Sequence, residues 1–411
     1  MPALEEMELP TVGLMDAGLA GEGFHEALDA LAEQSWLART DLGYVVLARD
    51  AVDRILRTRH ARMPAIELLE LQGVTSGPMH DQLAGNLLNL HGEQHRRLRG
   101  LVQSSFTPAA AQRLRPVMRA HLQHLWAALS ADGELDLVAE LALPYPARMI
   151  AEIVGAPVAD ARRLGEWAYW LQSTFDPTKI SGSPERIEQA AIEFHDYVQG
   201  LLRAPGEDGE GDDLLSTLRP EVRAGTLSEA ECVSLVGSVL IGGVDTTQAQ
   251  LAHTVRLLAQ HPDQWRALRA DVRLAAAAVD EALRYEPITP FTARLVTEEF
   301  TERGVTFPEG TVLVVCAATA NRDPAVYDAP GVFDITADRG GVAPLTFGAG
   351  PHFCLGHALA RAELEEALAF LATRVERVEL TGPPRYDTPA GVYGLHELPV
   401  RLHPAEVQGD P

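Results

Sequence analysis

The sequence is poor in cysteine, in basic charge and in long apolar runs, and each shortage removes a class of protein. Only three cysteines occur, Cys232, Cys316 and Cys354. None belongs to a CxxC pair, so neither a disulfide framework nor a zinc site of that type can be built. Lysine plus arginine number 34 against 58 acids, for a formal charge of -24 and a pI near 4.9. So acidic a chain excludes a general polyanion binder, and no nucleic-acid partner is expected. The longest nearly apolar stretch, Val233 to Val244, falls short of the ~20 residues of a membrane span. The opening MPALEEMELP lacks the basic-then-apolar order of a secretory leader. A reduced, cytoplasmic protein without a membrane partner is the expectation.

What is present is apolar mass. The 411 residues are 46% hydrophobic, enough for one large core or two ordinary ones. No repeat appears, and residues 1–22 read as a loose lead-in. Residues 43–47 (GYVVL) read as a strand, after which the chain is mostly helical to about residue 285. Apolar residues recur at helical spacing in 121–129 and 187–202. The run 204–213 (APGEDGEGDD) is a breaker-rich acidic loop without the alternating ligands of a calcium site. Leu227-Ser228 followed by Glu231 has the form of a capping box, and the helix it opens is expected to continue to about His261. A second helix covers 270–285, and short β-type runs follow to residue 318. A strongly amphipathic helix is expected from about 355 to 375. With no evident linker, one domain over 1–411 is the expected organisation.

The chemistry concentrates in FGAGPHFCLG, residues 347–356. Two glycines and a proline tighten the backbone just before Cys354, and a helix starts just after it. A sulfur there faces the positive end of the helix dipole, which lowers its pKa and suits an anion bonded to a metal. Cys232 and Cys316, by contrast, sit among valines and leucines as small hydrophobes. A second unusual string is GGVDTT, residues 242–247, inside a helix. Two glycines there cost about 1 kcal/mol each relative to alanine. Either a ligand lies against the bare backbone, or the glycines allow a close helix crossing. The Thr246 hydroxyl can bond a carbonyl one turn back and loosen the helix, and Asp245 with Thr246 offers an acid and an alcohol for proton relay.

These strings carry a family resemblance. FGAGPHFCLG resembles the FGxGxHxCxG haem loop of the cytochrome P450 monooxygenases, continued by Ala358, Arg361 and Glu363 as in bacterial members, and GGVDTT resembles their central-helix signature. The resemblance implies a mainly α fold with a minor β part, a triangular helix-rich single domain enclosing a b-type haem. It makes Cys354 the axial thiolate and metal ligand, puts Phe347 near the sulfur within the glycine frame of Gly348 and Gly356, and turns His352 to a propionate. Thr246 then sits at the oxygen to be activated, and Asp245 feeds it protons. Peroxide-using members commonly carry an Arg-Pro pair here, and its absence favours O2 with external electrons. Glu281 and Arg284 resemble the ExxR motif and Arg339 its third member, all structural. His95 and Arg99 resemble the HxxxR segment, and with Arg294 they face the propionates. A zinc-protease reading of residues 91–95 fails because Gly92 stands where glutamate is required.

By the same resemblance, Ile241, Gly242, Pro290, Phe291, Val392 and Tyr393 line the substrate pocket, roofed by residues 62–90 and 167–185. Residues 91–119 carry Arg96, Arg97, Arg99, Arg113, Arg115 and Arg119 against Glu93, a local excess of basic charge that reads either as a solvated face or as a landing patch for an acidic electron donor. A ferredoxin with its ferredoxin reductase is the implied partner, and an apolar secondary metabolite the implied substrate. Two departures stand out: Pro344 where relatives often have histidine, and Leu90-His91-Gly92 at the entry to the arginine segment. The same chemistry serves epoxidation, desaturation or coupling, and a haem-based gas sensor is the rival from another class. His121 and His124 read as surface histidines.

Overall fold

The computed structural model describes residues 4–16, 18–129, 134–204 and 211–405, so most of the acidic run 204–213 lies outside the described residues. Helices make up the body. Pro108–Ala128 begins where Thr107 Oγ1 accepts the Ala110 N–H at 3.2 Å, with proline in the first turn. It buries Ala111, Met118, Leu122 and Leu125 as one stripe against His357–Arg374. That second helix is not amphipathic as expected. It packs also on Ala275–Tyr285, and Leu359, Leu364, Leu368 and Leu371 are buried together with Glu363 and Glu366. A helix enclosed on several sides cannot show one polar face. One of those acids is answered from outside: Glu366 accepts from Arg115 and Arg119. His121 is likewise drawn inward, its ring 3.0 Å from Glu152.

The long helix opened by the Ser228 capping box is not continuous. Glu229–Gly243 ends and Asp245–Gln260 begins around Val244. The Thr246 hydroxyl donates to the Gly242 carbonyl at 2.6 Å, competing with the backbone ladder at the break. The two glycines divide the two explanations between them. A Cβ on Gly243 would come within 2.5 Å of Ile150 Cδ1, whereas one on Gly242 would meet open space. Gly243 is therefore a helix crossing, and Gly242 faces a cavity. The combined run Glu229–Gln260 is apolar and long enough to cross a membrane, but it threads the core, with 61% of its most apolar window buried.

Beside the helical body lies a five-stranded sheet in the order Leu37–Thr40, Gly43–Val46, Val312–Cys316, Phe291–Val296, Ala61–Arg62. Its parallel pair matches Tyr44 to Leu313. A Cβ on Gly43 would lie 2.2 Å from the Val312 carbonyl oxygen, so only glycine allows that pairing. A three-stranded sheet joins Glu134–Asp136, Pro399–Pro404 and Val375–Leu380, and a short pair joins Arg385–Tyr386 to Leu395–Glu397. The N-terminal segment is not a loose lead-in over its described residues. Thr11 bridges Arg39 in the sheet, and Leu4, Leu14 and Leu19 are buried.

Candidate functional site

Between the helical body and the five-stranded sheet lies a cavity of about 420 Å³. The cysteine loop reaches it through two left-handed glycines, Gly348 at φ +71° and Gly350 at φ +70°. At Gly350 a Cβ would also stand 2.9 Å from the Leu56 carbonyl oxygen, so the loop requires glycine for both conformation and space. The Cys354 N–H closes the turn on the Phe347 carbonyl at 2.9 Å. Cys354, Phe347, Gly348 and Gly356 all line the cavity. The sulfur's electrostatics differ from the expectation. Burial pushes the thiol up, and the Gly356 N–H, the Arg99 guanidinium and the His357 N–H only partly pull it back. Desolvation outweighs the helix end, so an anionic sulfur here needs a cationic partner.

Around the same end of the cavity, basic side chains gather without anions. His95 and His352 face each other with ring centroids 4.5 Å apart. Arg99 donates to the Phe353 carbonyl at 2.7 Å and Arg294 to the Ala293 carbonyl at 2.8 Å. Burial lowers Arg294 to about 10. Burial and the neighbouring charges of His95, Arg294, His91 and Arg99 lower His352 to about 3. The His95 Nε2 is buried with no hydrogen-bond partner. Among the described residues, no carboxylate pairs with His95, Arg99, Arg294 or His352. Such a set is suited to a group bearing acidic substituents, and with a cysteine sulfur on the same wall it fits an iron porphyrin: sulfur for the metal, cations for the propionates. His91, which the sequence marked only as a departure, belongs to this cluster, its ring 5.4 Å from that of His352.

The break in the long helix supplies the opposite wall. Gly242, Thr246 and Thr247 line the cavity, while Asp245 stands behind them. Asp245 is buried, and its Oδ1 has no partner. Burial raises its carboxyl to about 7; Lys179 pulls it down and Asp387 pushes it up. Those two are themselves paired at 2.7 Å. Neither is legible as a site residue from local spacing, because they lie far from Asp245 in sequence; the one signal was that Lys179 is the chain's sole lysine. Glu363 also lines the cavity, with burial holding its carboxyl well above the usual range and Oε2 unpartnered.

Of the expected pocket residues, Ile241, Gly242, Phe291 and Val392 line the cavity; Pro290 and Tyr393 do not. The Pro290 carbonyl accepts the Ala317 N–H at the sheet edge. Tyr393 is held elsewhere, its hydroxyl accepting the Gly21 N–H at 2.7 Å and its ring packing on Phe24 and Tyr386. The roof is formed as expected by segments including Met63, Asn86, Gln172, Phe175 and Ile180. Glu281 lies between two guanidiniums, accepting from Arg284 at 2.7 Å and from Arg339 at 2.5 Å. The arginine-rich segment is less exposed in charge than its sequence suggested. Arg97 pairs with Glu231, Arg113 approaches Asp212 at 3.8 Å, and Arg115 and Arg119 meet Glu365 and Glu366. Arg96 is exposed and has no acidic partner among the described residues.

Residues 173–389 match the cytochrome P450 family. The chain is 36% identical over 372 residues to the luteothin monooxygenase of Streptomyces thioluteus, covering 90% of this chain and 91% of that one. It is 36% identical over 342 residues to the cyclomarin C epoxidase of Salinispora arenicola, covering 82% and 85%. Among solved structures, that of CalO2 superposes with a TM-score of 0.88 at 31% identity, covering 96% of this chain and all of the other. Likeness over nearly the full length of both partners, added to a thiol and a cation cluster in one cavity, leaves a single class: this chain belongs to the cytochrome P450 family of monooxygenases.

Proposed function

We propose that the protein hydroxylates a largely apolar small molecule of secondary metabolism, using O2 and electrons from a ferredoxin-type donor, with heme b held by Cys354. The observation that carries this reading is the pairing of Thr246, on the cavity wall at the helix break, with the buried Asp245 behind it. Cys354 would hold the iron, and His95, Arg99, Arg294 and His352 the propionates. When bound, the haem supplies O2 activation and the oxygen atom that is inserted. The protein's part is to bind, orient and protonate. Ile241, Phe291 and Val392 press the substrate from apolar sides. Asp245, poised near neutrality, takes a proton from the interior beyond the wall and passes it through the Thr246 hydroxyl to an oxygen atom in the cavity.

The test is a reduced carbon-monoxide difference spectrum, followed by donor-dependent product formation. A thiolate-type band with turnover supports the reading. Carbon-monoxide binding without turnover under any donor overturns it in favour of a gas sensor. The naming of one relative as an epoxidase favours a second outcome on the same residues, insertion into a double bond; a substrate carrying both C–H and C=C positions separates the two by product analysis.

The raised carboxyl of Asp245 gives a signed pH dependence. Below about 7 Asp245 is mainly protonated, and above it mainly ionised. Product formed per O2 consumed is expected to fall as pH rises through that value, and Asp245→Asn to remove the step. A ratio flat from pH 6 to 8.5 in the unsubstituted enzyme would exclude Asp245 as the donor.

For the donor, we narrow the landing surface to Arg96 and its surroundings, on the helix Gly92–Val102 whose Arg99 touches the cysteine loop. Reduction by a small acidic ferredoxin, delivered with its reductase, is expected to slow as salt rises from 0.05 to 0.5 M, since exposed charges are screened beyond roughly 10 Å at 0.1 M. Arg96→Glu should slow it at low salt, while Arg115→Gln, whose charge is already answered, should leave the rate nearly unchanged. All three cysteines are unpaired, which supports a cytoplasmic setting.

A further inference from the structure

Charge is distributed very unevenly over the cavity wall. Its cationic side chains are Arg99 and Arg294, with the neutral imidazoles of His95 and His352 beside them, all at the end assigned to the propionates. Its one carboxylate among the described lining residues is Glu363, on the helix that follows the cysteine. The roof elements do carry charge, but most such groups beside the lining are answered locally. Arg62 pairs with Glu67. Lys179 pairs with Asp387 at 2.7 Å and lies over the Tyr169 ring at 4.8 Å. Arg186 lies over the Trp170 ring at 5.3 Å. Asp176, outside the lining, accepts both the N–H and the hydroxyl of Thr178 on Oδ1, and its buried Oδ2 has no partner. What the roof offers instead is neutral amide. The half-buried Gln172 side chain makes no hydrogen bond among the described residues, and it lines the cavity. Asn86, 1% exposed, accepts the Leu88 N–H on Oδ1 and leaves its NH2 uncommitted.

Resting on the monooxygenase reading of this site, we propose that the cavity selects uncharged substrates bearing hydrogen-bond acceptors, such as lactones, esters or ketones, and rejects carboxylates and quaternary ammonium ions. The argument is one of compensation. An ion leaving water needs a counter-charge or several oriented dipoles. Once the propionates occupy the two floor guanidiniums, a substrate carboxylate meets no free cation. On the lining a substrate cation meets only Glu363, where burial disfavours the ion, and Asp245 behind the wall is mainly protonated below about 7. Carbonyl and ether oxygens, by contrast, match the NH2 groups of Asn86 and Gln172, and the apolar remainder matches Met63, Phe175 and Ile180.

The test compares three ligands of equal chain length on the ferric holoenzyme at pH 6, where Asp245 is mainly protonated: methyl decanoate, decanoate and decyltrimethylammonium. The last carries no nitrogen lone pair, so it cannot ligate iron. Binding is read by spin-state titration and, independently of the iron, by equilibrium dialysis. Methyl decanoate is expected to bind at least about tenfold more tightly than either ion, in line with the cost of an unpaired buried charge. Gln172→Leu and Asn86→Leu are expected to weaken the ester severalfold while leaving decane unchanged. Equal or tighter binding of decanoate, or no binding of the ester, overturns the proposal. The carbon-monoxide difference spectrum of the same preparation reports separately on the thiolate ligand. A missing band there sinks the monooxygenase reading, while the dialysis ranking still judges the selectivity.

Discussion

Replacing Thr246 by alanine is expected to leave O2 consumption running while product formation falls by roughly a hundredfold, the lower end of what a positioned proton-transfer group contributes. Thr246 lines the cavity next to buried Asp245 in the chain, and the bond of its hydroxyl to the Gly242 carbonyl fixes its position. Without it, electrons still arrive, but protons reach the oxygen without direction, and O2 is released as peroxide. The measurement is the ratio of product to O2 consumed, with peroxide assayed in parallel. Thr246→Ser, which keeps the oxygen, should retain most of the coupling. Tight coupling in the alanine variant would remove Thr246 from the relay.

The largest effect on the fold itself is expected from Glu281→Ala. Burial alone would raise that carboxyl, but hydrogen bonds from Arg284, Arg339 and the Asp334 N–H hold it below the usual range. Arg284 is almost fully enclosed, 2% exposed, and also donates to the Asn321, Pro330 and Val332 carbonyls. Deleting the acid strands a guanidinium in the interior, at a cost of about 3–5 kcal/mol, a large part of the ~5–15 kcal/mol that holds an ordinary domain together. The variant is expected to unfold well below the parent in a thermal scan and to lose haem during purification. Glu281→Gln keeps the shape and one acceptor oxygen and should recover part of the loss. A carboxyl held low contributes stability that is present above its unfolded pKa and lost as pH falls through the folded one. The difference between parent and Glu281→Gln should therefore shrink in acid.

What could be read from the sequence followed from how local each signal was. The cysteine loop and the acid–alcohol string are contiguous, and their backbone demands are written in glycines that no other residue replaces. Gly242 and Gly243 were less legible: the residues that distinguish them, open cavity on one side and Ile150 on the other, come from elsewhere in the chain. The amphipathic reading of 355–375 failed because a helix packed on several neighbours loses its polar stripe, and the answering charges, Arg115 and Arg119, are about 250 residues away. The arginine-rich segment carries less free charge than its sequence sum for the same reason in reverse. Summing charges along a segment ignores acids such as Glu231 and Glu366 that folding brings beside it. The family resemblance implies Pro290 and Tyr393 in the pocket, and the N-terminal segment, read as loose, is what holds Tyr393 away.

The single lysine has a practical meaning beyond its charge. Lys179 rides on the short helix Pro177–Gly182 over the cavity, with its amine clasped by Asp387 and only 22% of its side chain exposed. An amine-directed acylating reagent therefore finds one side-chain target in the whole chain, and reaches it fully only when that clasp lets go. The acylation rate therefore reports how often the Lys179–Asp387 clasp opens.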